Sequence, residues 1–231
     1  MDLTELIFFD AGGTLFEVRG GVGRIYSKIA GRYGVTIGPE EADALFRAAF
    51  TARTAMGFPA ATGDSAAAER QWWFDLVQQV FFGRMPESIF STYFAELYDY
   101  FRSADAWLLY PDVPHSLEQL QARGHRMGII SNFDSRLKEI IANLGIAPFI
   151  EQITTSWSAK AAKPDPQIFL KAVADMRVSP FSATHVGDSI HEDIEGAKNA
   201  GLNPILIDRK SSHPQWSKTR RIHSLSELLD F

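Results

Sequence analysis

Four short stretches of the 231-residue sequence each carry a reactive side chain at the end of an apolar run. They are Asp10 in FFDAGGTLF, Ser131 with Asn132 in IISN, Lys163 in KPDP, and Asp188 with Asp193 in HVGDSIHED. Two carboxylates can hold a hard divalent cation through oxygen, the donor type that magnesium takes. A lysine, such a cation and the backbone amides of a glycine turn, here Gly12 and Gly13 before Thr14, neutralise phosphoryl oxygens. A serine hydroxyl and the amides of a helix start supply one more oxygen contact. Together the set suits phosphoryl transfer, with Asp10 as the candidate nucleophile. Singly, each residue has a plainer role: a turn aspartate, a helix-capping serine, a solvated lysine, or acids drawn to a helix start.

For these residues to meet, the runs before them must be neighbouring strands. ELIFF (5–9), RMGIISN (126–132), ATHVGDS (183–189) and NPILIDR (203–209) read as buried strands, and FIEQITTS (149–156) as a weaker one. Between them lie helical patterns at 113–123, with Val113, Leu117 and Leu120 before Gly124, and at 137–144, with Leu137, Ile140, Ile141 and Leu144 before Gly145. Further helices are expected at 166–176 and 191–201. Alternation of this kind predicts an α/β, Rossmann-like parallel sheet with helices on both faces, whose ligands bind at the C-terminal ends of strands.

Residues 16–103 interrupt that rhythm. Apolar positions recur there at helical spacing in four sets, around Ile25–Tyr33, Ala42–Phe50, Trp72–Val80 and Ile89–Phe101. An α-helical insert at 16–103 is therefore expected within a core made of residues 1–15 and 104–231. The insert holds 17 of the 28 aromatic residues, enough to fill its interior, with Trp72 or Trp73 left to face a substrate. The segment RGGVG (19–23) lacks the lysine and hydroxyl residue of a phosphate loop and reads as a hinge. PAATGDSAAAE reads as a loop leading to a helix capped by Asp64 or Ser65.

Net charge is −5 with no long basic block, which argues against a nucleic-acid footprint. The absence of cysteine excludes disulfides and thiolate metal sites and suits a reducing compartment. No apolar run approaches a membrane span, and the N-terminal segment lacks the pattern of a signal peptide. The expectation is a cytoplasmic protein whose partner is a small molecule, not a nucleic acid or a membrane. No histidine pair has zinc spacing.

The four stretches, in this order and at these strand ends, resemble the four motifs of the haloacid-dehalogenase-like hydrolase superfamily, and the insert resembles its helical cap. RQWWFDLV, SNFDSRL and KPDPQIF are further similar to one subgroup of that family. The resemblance implies that Asp10 forms an aspartyl-phosphate and that Asp10, the Gly12 carbonyl and Asp188 hold Mg2+. It also implies that Gly13, Thr14, Ser131, Asn132 and Lys163 bind the phosphoryl group or shape its turn. Lys163 is preferred to Lys160 because the family's lysine precedes proline, and Asp193 supports the metal site. The family's phosphatases carry an acid/base aspartate two residues after the nucleophile, where this chain has Gly12. Three explanations are open: a substitute acid such as His115 or Glu17, a leaving group that needs no proton, or a catalytically weak binding protein. The dehalogenase branch, in which halide leaves unprotonated, is a fourth. The acidic fourth motif favours the magnesium-dependent phosphatase, acting on a small phosphorylated metabolite.

Overall fold

In a computed structural model of the protein, residues 5–54 and 65–231 are described. Two compact units emerge, Met1–Glu17 with Leu109–Phe231, and Val18–Leu108.

The first unit is built on β1 (Leu6–Phe9), whose four residues are all buried. After the second unit, in chain order, come α5 (Val113–Ala122), β4 (Arg126–Ser131), α6 (Leu137–Asn143), β5 (Gln152–Thr155), α7 (Ser156–Ala159), α8 (Pro166–Asp175), β6 (Ala183–Gly187), α9 (Gly196–Asn199), β7 (Asn203–Ile207) and β8 (Arg220–Ile222). The sheet runs β5-β4-β1-β6-β7-β8 and all its pairings are parallel. Leu6 and Phe8 project onto one face, where Ile168, Phe169 and Ala172 of α8 and Ala197 of α9 complete a dry cluster. Ile7 and Phe9 alternate to the other face. α5 packs on β4. Strand order reverses between β1 and β6, so the crevice beyond their C-terminal ends is the place for a ligand.

The second unit contains α1 (Val22–Arg32), α2 (Pro39–Thr54), α3 (Ser65–Val80) and α4 (Glu87–Tyr100). Its apolar stripes interlock through aromatic pairs such as Phe50 with Trp72, whose ring centroids are 6.0 Å apart, and Phe74 with Phe90, at 4.9 Å. Gly23 permits the close approach of α1 to α2, because a Cβ there would lie 2.0 Å from the Pro39 carbonyl oxygen. The cap expected at Asp64 or Ser65 falls outside the described side chains. No helix among the described residues is long and apolar enough to cross a membrane.

Three features depart from the sequence expectation. A two-stranded ribbon pairs β2 (Phe16–Val18) with β3 (Trp107–Leu109) where the chain passes between the units. β8 adds an edge strand. The segment expected as one helix at 191–201 is π-helical over Ile190–Glu195 before α9 begins. Its wider turn forms because the Ser189 carbonyl accepts from both Asp193 and Ile194 N–H while the Ser189 hydroxyl accepts from Glu192 N–H.

Candidate active site

Asp10 follows β1, Ser131 ends β4, Lys163 precedes α8, and Asp188 follows β6. The parallel sheet brings all four together. Lys163 Nζ lies 2.5 Å from Asp10 Oδ1 and 2.6 Å from Asp193 Oδ1, and the Ser131 hydroxyl donates to Asp10 Oδ1 at 3.0 Å. Asp10, Lys163, Ser131 and Asp193 are buried. Burial opposes the Lys163 ammonium, but the two flanking carboxylates outweigh it and hold the group above its ordinary pKa. Burial likewise raises Asp10 despite Lys163, with Asp193 adding to the rise. For Asp193 burial is overcome by Lys163 and His185, so its carboxyl lies well below the usual range.

Asp193 is saturated. Its Oδ1 receives Lys163 and His185 Nε2, the latter at 2.9 Å, and its Oδ2 receives the Ser189 N–H at 3.0 Å. The π-helical turn aims it inward, and Gly187 makes room, since a Cβ there would sit 2.2 Å from Asp193 Cγ. Asp193 is therefore an anchor for Lys163. Asp188 is different: although its side chain retains solvent access, the surrounding protein desolvates it. That desolvation, with the nearby Asp10 and Asp193 charges, pushes its carboxyl up to about 7. Oxygens of Asp10, Asp188 and Asp193 lie within 4.8 Å of one another.

Two expected binding residues have further structural contacts. The Asn132 carboxamide accepts from Lys163 N–H at 2.7 Å and donates to the Lys163 carbonyl at 3.0 Å and to Glu192 at 3.2 Å, so its side chain brackets Lys163. The buried Thr14 hydroxyl makes no hydrogen bond; Thr14 is held by its carbonyl, which accepts two bonds from Arg209. Gly13 has φ +85° and touches Asp188, for a Cβ there would lie 2.3 Å from Asp188 Oδ2. Gly12 has no such close neighbour; a Cβ there would meet Phe133 Cε2 at 3.8 Å. Lys160 is exposed, and so is His115, while Glu17 accepts from the Tyr110 hydroxyl at 3.2 Å. Trp72 is buried and Trp73 half-buried among aromatic rings of their own unit.

His185, Glu192 and Arg209 were not singled out from sequence. A histidine in a fully buried strand signals a partner by itself. Arg209 lies just beyond a strand end, where its charge reads as ordinary surface.

A family model described as haloacid dehalogenase-like hydrolase matches residues 4–201. The chain belongs to this hydrolase family. Among curated relatives, haloacid dehalogenase-like hydrolase domain-containing protein 3 of Xenopus laevis is 33% identical over 216 residues, covering 92% of this chain and 88% of the relative. It represents the subgroup that RQWWFDLV, SNFDSRL and KPDPQIF resemble. The fold of this haloacid dehalogenase-like hydrolase is shared with a solved phosphatase from Thermococcus onnurineus (22% identity, TM-score 0.67, 100% of this chain and 97% of that one). It is equally shared with a 2-haloacid dehalogenase from Pseudomonas syringae (21% identity, TM-score 0.69, 100% and 97%). Fold alone therefore does not choose between the two chemistries.

Proposed function

We propose that this hydrolase is a magnesium-dependent phosphatase of small phosphorylated metabolites, with Val18–Leu108 as its cap. The carrying observation is Asp188: a carboxylate beside Asp10 that makes no ion pair among the described residues and whose charge is disfavoured without a cation. Halide displacement has no use for that arrangement. The donors fit a hard divalent ion, being all oxygen and close together. Asp10, Asp188 and, by family resemblance, the Gly12 carbonyl would hold it. Bound there, Mg2+ would supply positive charge to the phosphoryl oxygens.

The chain's own residues do the rest. Lys163, fixed by Asp193, His185 and Asn132, keeps one Asp10 oxygen engaged and adds positive charge at the phosphoryl group. The other Asp10 oxygen attacks phosphorus; an O–P bond forms as the bond to the leaving group breaks. Water then cleaves the aspartyl-phosphate and releases phosphate. Ser131, at the end of β4, turns its hydroxyl from Asp10 to a phosphoryl oxygen. Gly12 carries no proton, so leaving groups that depart as anions, such as the carboxylate of an acyl phosphate, are preferred. A cysteine-free enzyme of a phosphorylated metabolite suits the cytoplasm.

Gly12 also supports a second reading, displacement of halide from a haloacid by Asp10. The test is hydrolysis of acetyl phosphate and of 2-chloropropionate, with magnesium present and chelated. Magnesium-dependent phosphate release supports the phosphatase; chloride release indifferent to chelation replaces it with the dehalogenase.

A further inference from the structure

We infer that Arg209 is a positioning residue for the Asp10 turn, acting through the Thr14 carbonyl. Its consequence for metal binding rests on the phosphatase reading; the bracing itself does not.

Arg209 sits two residues beyond β7 with a largely buried side chain. Its Nε and Nη2 donate to the Thr14 carbonyl at 3.1 and 2.7 Å, and its Nη1 donates to both Asp112 oxygens at 3.0 and 3.2 Å. The guanidinium lies 3.9 Å from the Tyr110 ring centroid, and the Tyr110 N–H donates to the Leu15 carbonyl at 3.1 Å. Asp112 is fixed in turn by the Ser224 hydroxyl at 2.9 Å and the Leu225 N–H at 2.6 Å. Of two successive carbonyls of the turn, Thr14's is thus held by the planar fork and Leu15's by the backbone N–H of Tyr110, whose ring lies against that fork; lysine cannot reproduce the fork's geometry.

The Thr14 hydroxyl contributes nothing, being buried without a partner. At Gly13 the same turn rests against Asp188. The turn therefore contacts Arg209 at one residue and Asp188 at the one before it, and its place bears on the separation of the Asp10 and Asp188 carboxylates. Removing the brace should loosen the turn and spread that pair, although Arg209 touches neither.

The test uses the full chain and two readouts. Mn2+ binding, followed by electron paramagnetic resonance with Mg2+ in competition, reports the carboxylate pair. Hydrogen exchange at residues 11–16 reports the turn. Partners bonded directly to metal ligands are worth about 10–100-fold in affinity; Arg209 acts further out, so Arg209→Met should weaken Mn2+ by about the lower end of that range while speeding exchange in the turn. Arg209→Lys should fall between it and wild type, and decides the matter if Arg209→Met does not fold. Ser224→Ala removes one of the bonds that hold Asp112 but leaves both bonds from Arg209 to Thr14 in place, so it should weaken Mn2+ less than Arg209→Met does. Wild-type Mn2+ affinity and turn exchange in both Arg209 variants would overturn the inference, as would an equal loss in Ser224→Ala. If the wild-type chain binds no Mn2+, the metal reading fails instead, and exchange in the turn alone decides the brace.

Discussion

Replacing Gly12 by aspartate tests the proposal that turnover here is held back by a missing proton donor two residues after Asp10. The backbone at Gly12 is not in the left-handed region, and the nearest atom to an added Cβ is Phe133 Cε2 at 3.8 Å, ordinary contact. A Cβ is therefore accommodated there, and the substitution removes unfolded-state freedom worth about 0.4–1 kcal/mol. General acid–base catalysis contributes about 10²–10⁴-fold, equivalent to roughly 3–5 kcal/mol of barrier. That gain should appear in kcat/KM for glycerol phosphate, whose alkoxide needs a proton, and be nearly absent for acetyl phosphate. A folded Gly12→Asp protein whose glycerol phosphate turnover stays within about threefold of wild type would refute a missing proton as the sole deficit.

Two further outcomes follow from the buried charges. Lys163→Met leaves Asp10 and Asp193 facing each other without their shared cation, and breaking such a pair costs about 3–5 kcal/mol, to be read from urea denaturation at neutral pH. Burial disfavours the Asp112 carboxylate, but bonds from Arg209, Leu225 and Ser224 outweigh it and hold its folded pKa below the ordinary 3.8. The stability from that depression is full above the unfolded value and is lost as pH falls through the lower folded value. Asp112→Asn should accordingly lower stability by about 1–3 kcal/mol at pH 7, with the difference from wild type shrinking below about pH 4 in thermal melts.

The strands that carry the site were legible because a parallel sheet buries both faces, so LIFF of β1, MGII of β4 and PILI of β7 read as apolar runs. Asp10, Ser131 and Asp188 were legible with them, since a polar residue ending such a run stands out; Lys163, beyond β5 and α7, was marked instead by the proline that follows it. β2, β3 and β8 are three residues each, too short for alternation to register, and Arg220–Ile222 is mostly charged. The π-helical turn at Ile190–Glu195 escaped because its apolar spacing imitates an α-helix; only the inward pull of Lys163, His185 and Ser189 on Asp193 reveals it. The bonding of Asn132 to Lys163, and the brace from Arg209 to Thr14, join residues 31 and 195 positions apart, and no local pattern encodes them.

The most direct measurement is phosphate release from acetyl phosphate and para-nitrophenyl phosphate by wild type and Asp10→Asn, each with and without magnesium. Asp10 as nucleophile predicts magnesium-dependent turnover in wild type, faster for acetyl phosphate, and none above background in Asp10→Asn. Turnover that survives the substitution, or that is indifferent to magnesium, would contradict it.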